Sequence, residues 1–378
     1  MPRPARIFVL TGLLLTVVCA SSQTTYQAAV PTDGDSTAHR PPGDTTAPQK
    51  LHLFTGKEQI DLIDVGRYLM LKHPSIRRDR AGKRPGKLYP ALLPSAEYTL
   101  ETGLAFDLTG SLAFYTGSQA EDNISNIYLA SVFTQKNQLL MPLEANIWTK
   151  GNKYNIVTDW RFEIFPQSTY GLGTLTTIAD ADSIDFDYLR CYSTVLRTFA
   201  KDFYLGLGYD IDYFYNVRDI SHPMPGKPTV FEQYAVPSTS VSSGPTVTVL
   251  YDGRRNEINP EPGWYANLVF RPNFTFLGSD SNWQSVLVDA RHYLHLPARS
   301  QNILAFWTYD VFNFNKKTPY LMMPYTQSDT YENMGRGYIG GRFRGRDMVY
   351  LEAEYRYRLT SNGLLGGVVF INAQSYTE

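Results

Sequence analysis

The chain has 378 residues, 35 Lys and Arg against 36 Asp and Glu, and a formal net charge of -1, so it offers no basic field for nucleic acid. Aromatic residues make up 14%, with 27 Tyr to 20 Phe, and charged residues 19%. A tyrosine-rich chain without a long apolar helix suits the aromatic girdles of a membrane barrel.

The N-terminus has the order of a secretory signal. Arg3 and Arg6 form a positive region, Ile7 to Val18 an apolar region, and Ala20-Ser21-Ser22 suits cleavage before Gln23. Residues 1–22 are therefore expected to be a signal peptide. Cys19 raises a lipoprotein alternative, against which Val18 is bulkier than that site takes. Past Gln23 only Cys191 remains, so the mature chain has no internal disulfide, and no stretch reaches the ~18 apolar residues of a membrane helix. Residues 23–50 are polar and rich in Thr, Pro and Asp, as in a disordered leader. Residues 51–74 carry Ile60, Leu62, Ile63, Val65, Tyr68 and Leu69, the spacing of a short amphipathic helix. A basic run follows, from Arg77 to Lys87. It suits a solvated linker, or a contact with anionic headgroups. Residues 23–87 are expected to be a leader and a short periplasmic segment.

From residue 88 onward the pattern predicts strand after strand. Thirteen are expected, at 88–102, 103–116, 124–136, 139–150, 154–166, 184–199, 202–217, 244–253, 263–275, 283–296, 301–314, 347–359 and 363–376. Several alternate cleanly with period two. Ile156, Thr158, Trp160, Phe162 and Ile164 oppose Asp159, Arg161 and Glu163. Phe203, Leu205, Leu207, Tyr209 and Ile211 oppose Gly206, Gly208, Asp210 and Asp212. Val286, Val288 and Ala290 oppose Ser285, Asp289 and Arg291. In each, the charged set suits a lumen and the apolar set lipid. Thr149 to Lys153 has hairpin chemistry. Insertions at 218–243 and 315–346 are expected to be extracellular loops.

A soluble β-sandwich is the competing fold. The export signal, the recurrence of charge on one face, and strands of ten or more residues against a usual five or six weigh against it. The expected fold is all-β, a transmembrane antiparallel β-barrel over 88–378. Such barrels have an even number of strands, because closure removes edges that lipid cannot satisfy. Thirteen is odd, and the chain stops at Tyr376-Thr377-Glu378 directly after a strand. Sixteen strands are therefore expected, with about three beyond Glu378.

The most informative stretch is Met348 to Leu359. Val349, Leu351, Ala353, Tyr355, Tyr357 and Leu359 face one way; Tyr350, Glu352, Glu354, Arg356 and Arg358 face the other. Just before it lies Gly335-Arg336-Gly337-Tyr338, placed to fold back onto that charged face.

These segments resemble the barrel of the BamA/TamA-type outer-membrane proteins, the bacterial surface antigen family. Tyr251-Asp252-Gly253-Arg254-Arg255-Asn256, with Asn259-Pro260 and Gly263, resembles the family's Asp-x-Arg-x-Asn…Pro…Gly hairpin. Gly335-Arg336-Gly337-Tyr338 resembles its Val-Arg-Gly-Phe/Tyr loop, with Gly335 where Val is commoner. Tyr350 to Leu359 and Gly367 to Gln374 resemble the two strands after that loop. The resemblance covers roughly residues 88–378 and implies a sixteen-stranded outer-membrane barrel. It implies that Arg336 enters the lumen and meets Glu354. The second partner position falls on Asn372, where the family often has Asp, so that bond would lose its charge assistance. For Asp252, Arg254 and Asn256, simple turn chemistry accounts for the residues equally well. Assembly members of the family carry periplasmic POTRA domains. Here residues 23–87 show no α/β pattern, so a client-docking platform is missing or comes from a separate periplasmic partner.

Enzyme chemistry is not expected. The histidines are His39, His52, His73, His222, His292 and His295. His292 and His295 fall on opposite faces of a strand, and no metalloprotease, P-loop or nucleophile-elbow motif is present. Asp180, Asp182, Asp185 and Asp187 lack the Gly and terminal Glu of a calcium loop. Asp210 and Asp212 share a strand face without a nucleophile nearby. No cofactor or metal is expected. The resemblance implies insertion or translocation of outer-membrane proteins, with outer-membrane lipids and unfolded client barrels as partners. The alternative is a passive pore or structural barrel.

Overall fold

Period-two alternation builds thirteen long strands among the described residues, one for each strand read from the sequence. The computed structural model describes residues 9–10, 88–99, 102–118, 122–221, 226, 228–254, 262–360 and 365–378. The strands are β1 (Tyr89–Thr99), β2 (Gly103–Phe114), β3 (Ser125–Thr134), β4 (Leu139–Trp148), β5 (Tyr154–Ile164), β6 (Asp182–Ala200) and β7 (Phe203–Asp219). They continue as β8 (Ser240–Asp252), β9 (Gly263–Asn273), β10 (Trp283–His295), β11 (Ile303–Asn313), β12 (Met348–Arg358) and β13 (Gly366–Tyr376). Each pairs antiparallel with its neighbour in the chain, so the sheet is one continuous up-and-down meander from β1 to β13. A three-residue strand, Gln167–Thr169, lies against the start of β6. The pair Val9–Leu10 lies against Gln374 and Ala373 of β13. No ladder joins β1 to β13 among the described residues. The rest of the expected signal peptide, the leader, the short helix and the basic run lie outside the described residues, as does Asn256.

The sheet is apolar outside and polar inside. On β7, Leu207 is 71% exposed, whereas Asp212 on the opposite face is 0% exposed. A sheet that buries its carboxylates and presents its leucines is built for a solvent of hydrocarbon. The apolar run on β7 from Phe203 to Tyr213 spans eleven residues. At ~3.4 Å per residue and a ~40° tilt this is roughly 26 Å, against the ~25 Å apolar band of outer-membrane barrels. Tyr213 stacks on Tyr215 with ring centroids 5.0 Å apart. Beyond them the outer face turns polar: Asn216 donates to Asp187 at 2.6 Å, and Arg218 pairs with Asp185.

The inner face is concave. Arg271 on β9 reaches the Tyr192 hydroxyl of β6 and the Asp212 carboxylate of β7, contacts that a flat sheet would hold too far apart. Strand length departs from expectation here. β6 and β7 run to 19 and 17 residues, and β8 begins at Ser240 because Ser240 to Ser243 pair with the raised end of β7. Its Ser-Val-Ser-Ser start has loop composition, and only the longer neighbour makes it a strand. The expected loop at 218–243 is therefore shorter and carries a one-turn helix, Val230–Gln233, capped by Thr229. Leu172, Phe186, Phe214, Val230, Tyr320 and Leu321 pack into a small apolar core at this rim.

Candidate functional site

The segment between β11 and β12 crosses the lumen. At one side, Arg161 of β5 donates from Nη2 to the Thr330 carbonyl at 2.8 Å. At the other, Arg336 meets β12. These two strands stand seven places apart in the sheet order. Further along, Arg342 donates to the Thr176 carbonyl at 2.6 Å. The buried Arg344 donates to the carbonyls of Tyr320, Leu321 and Met323, closing the turn at Tyr320–Met322. Asp329 accepts the N–H groups of Asn333 and Met334 at 3.1 and 2.8 Å. Burial pushes its carboxyl above the usual range.

Alternation on β12 brings Tyr350, Glu352 and Glu354 to the inner face. Arg336 donates from Nε to Glu352 Oε2 at 3.1 Å, and from Nη2 to both Glu352 Oε1 and Glu354 Oε2. The Glu352 and Glu354 side chains are only 6% and 8% exposed. The Tyr350 hydroxyl donates to Glu352 at 2.7 Å, and Arg356 pairs with Glu354. The guanidinium also lies over the Phe370 ring, 4.1 Å from its centroid.

Two details depart from the sequence reading. Asn372 meets Arg336 at its main chain: its side-chain amide donates to the Arg336 carbonyl at 3.0 Å. The second carboxylate comes instead from Glu352, two residues before Glu354 on the same face. Arg336 therefore keeps two charge-assisted partners, and its fork geometry suits them. The alternation had already put Glu352 on that face, and its reach to Arg336 was the missing link.

Gly335 and Gly337 both have positive φ, 72° and 96°, a region that glycine enters without strain. A Cβ on Gly335 would lie 2.5 Å from Thr326 Cγ2. The Val that is commoner at this position in the resembled family would therefore be strained here twice, by backbone and by contact. Gly335→Val is expected to cost about 1–3 kcal/mol and to weaken the Arg336 contact. The temperature at which the folded band is lost on heat-modifiable gels should fall, and an unchanged temperature would refute this. Tyr338 packs edge-on against Phe343, with centroids 5.4 Å apart.

The other sequence candidates do not join this site. Arg254 folds back on Asp252, with bonds of 2.9 and 2.7 Å, and lies 4.2 Å from the centre of the Tyr265 ring. This pair belongs to a recurring inner pattern that was missed as a repeat. Asp159–Arg161, Asp252–Arg254, Asp289–Arg291 and Glu354–Arg356 each pair a carboxylate with the arginine two residues on. The signal is present as acid-x-Arg within β5, β10 and β12, and running off the end of β8, whose last residue is Asp252. Asp210 and Asp212 face Arg271, at 4.0 and 2.6 Å. The four aspartates near residue 180 disperse to separate partners: Asp180 closes a turn at Thr177, Asp182 accepts the Val230 N–H, Asp185 pairs with Arg218 and Asp187 with Asn216. Among the described residues no group of acidic, His or Cys side chains is arranged to hold a metal. His292 stacks on Trp264, with centroids 3.8 Å apart.

No family model matches the chain, and no curated protein does. Among solved structures, the crystal structure of BamA from Haemophilus ducreyi lacking POTRA domains 1-3 matches with a TM-score of 0.48 and 13% sequence identity. The match covers 78% of this chain and 58% of that one, so this chain spans less than two thirds of that structure's length.

Proposed function

We propose that this chain is an exported outer-membrane β-barrel of BamA/TamA type that acts in inserting or translocating outer-membrane proteins. The observation that carries this reading is the segment held across the lumen from Thr330 on β5 to Arg336 on β12. A lumen bridged in this way suits a barrel whose work is done at its wall better than one built for free diffusion. The wall has a candidate place for that work. β1 is one end of the ladder order, and at the other β13 carries only the two-residue Val9–Leu10 pair beyond it; an unsatisfied strand edge can template an incoming strand. Lipids and unfolded client barrels would be the partners, with a separate periplasmic protein supplying client docking.

A passive pore is the second reading, favoured by the exposure of Ser95 and Glu97 on β1, opposite the run of Leu92 and Tyr98. The test places the full-length protein in liposomes beside an unfolded client barrel and records the client's folding rate. Acceleration beyond that by an unrelated barrel, reduced in Arg336→Ala, is the expected result. Equal rates with either barrel would overturn the assembly reading, and ion conductance would become the quantity to measure.

A further inference from the structure

On the outer face of β11 a carboxylate stands among apolar neighbours. Asp310 stands on the same face of β11 as Phe306 and Thr308. A carboxylate facing lipid is costly and marks a site when it persists. Its partners among the described residues are Thr308 Oγ1, at 3.1 and 3.0 Å, and the Tyr350 main-chain N–H, at 3.2 Å. None is a cation.

The β11–β12 ladder explains how the group is held. Pairing runs from Ile303↔Arg356 to Thr308↔Leu351 and resumes at Val311↔Met348. At the gap, side chains stand in for the main chain. Asp310 accepts the Tyr350 N–H, and the one Thr308 hydroxyl proton lies within reach of both the Tyr350 carbonyl, at 3.0 Å, and the Asp310 carboxylate. The carboxylate is fixed in place, yet a carboxylate has about four acceptor sites, and Oδ2 uses only the one from Thr308.

Thr308 also lines a cavity of about 520 Å³ on this face, with Ala290, Phe306, Leu351, Ala353 and Ile371. Register makes the hollow. Ala290 sits opposite Thr308, and Ala353 stands between Phe306 and Ile371, so small side chains form a floor between large walls. Its volume falls within the ~300–1,000 Å³ of pockets that hold a single small ligand.

An apolar slot that shares Thr308 with a carboxylate lacking a cation has the chemistry of an amphiphile site. We propose that this face binds a phospholipid, with one acyl chain in the slot and a primary ammonium headgroup on Asp310. The proposal rests on the reading of this wall as lipid-facing. An anionic headgroup would be repelled, and an ammonium supplies the missing charge with three donors.

Trp264 lines the same slot, so with the exposed Trp160 replaced by Phe its fluorescence reports occupancy. The full-length protein in phosphatidylcholine vesicles is titrated with phosphatidylethanolamine or phosphatidylglycerol, each brominated on its acyl chains. Phosphatidylethanolamine is expected to reach half-quenching at a mole fraction about two- to five-fold lower, the size of an exposed ion pair. Asp310→Asn should abolish that preference while leaving the folded gel mobility intact. Ala353→Phe, which fills the slot, should raise the half-quenching fraction for both lipids. Equal fractions for the two headgroups, a preference unchanged by Asp310→Asn, or indifference to Ala353→Phe would overturn the site. Quenching by both lipids without preference would leave the wall lipid-facing and the site refuted. No quenching by either would overturn the lipid-facing wall as well.

Discussion

Replacing Arg336 by alanine is expected to lower barrel stability by about 3 kcal/mol and to raise ion conductance. The loss comes from what stays behind. Glu352 and Glu354 are both nearly fully buried, and removing one member of a buried ion pair leaves charge in a poor solvent, at roughly 3–5 kcal/mol. The low end applies because each carboxylate keeps another partner, Glu352 the Tyr350 hydroxyl and Glu354 the Arg356 guanidinium. Conductance rises because the lumen segment loses its ion-pair anchor on β12, keeping the Thr330 contact with Arg161, the Thr176 contact with Arg342 and the Asn372 bond to its main chain. Arg336→Lys should fall between, since an ammonium restores charge but cannot form the two-pronged contact. The temperature of heat-modifiable mobility and single-channel conductance in planar bilayers are the measurements. If neither changes in the alanine variant, the latch has no role.

Arg271→Met is expected to destabilise more strongly, near the upper part of the same ~3–5 kcal/mol range. Its side chain is 8% exposed, and that of its partner Asp212 is 0% exposed. The hydroxyls of Tyr188 and Tyr192 would still donate to Asp212, but the nearest remaining cation, Arg190 opposite it in the ladder, reaches it only through the Tyr188 hydroxyl. Adding Asp212→Asn should recover part of the loss, because a neutral amide oxygen still accepts from a tyrosine. The two changes should therefore be non-additive, with a coupling of about 1 kcal/mol or more. Urea unfolding of the four proteins in detergent measures this. Additive effects, or a single-variant loss below about 1 kcal/mol, would show that the cluster is not what holds β6, β7 and β9 together.

The strands were legible because alternation is a local signal. Phe203 to Asp212 declares its two faces without reference to any neighbour. The added length of β6 and β7 and the early start of β8 were not legible, since Ser240 to Ser243 become strand only through pairing with Ile211 to Phe214. The site divides in the same way. The inner placement of Glu352, Glu354 and Asn372 follows from period two. What each touches depends on where the backbone of the preceding segment lies. Asn372 illustrates this: the side chain is where alternation puts it, and it donates to the Arg336 carbonyl, a contact that no periodicity announces. Arg271 was overlooked because its partner is 59 residues away and no spacing rule reaches that far.

The acid-x-Arg pairs of the inner wall have a consequence for the order of events in folding. Arg161 and Arg291 find their carboxylates two residues away on the same strand, and Arg254 finds its own two residues back at the end of β8, so almost no chain entropy opposes those contacts. They can form as soon as each strand extends, before any neighbour arrives, and each strand then presents compensated charge to the membrane. The Arg336 contact must close 16 residues and the Arg271 contact 59. The first set of ion pairs can therefore precede the barrel, while the second can form only as it is completed.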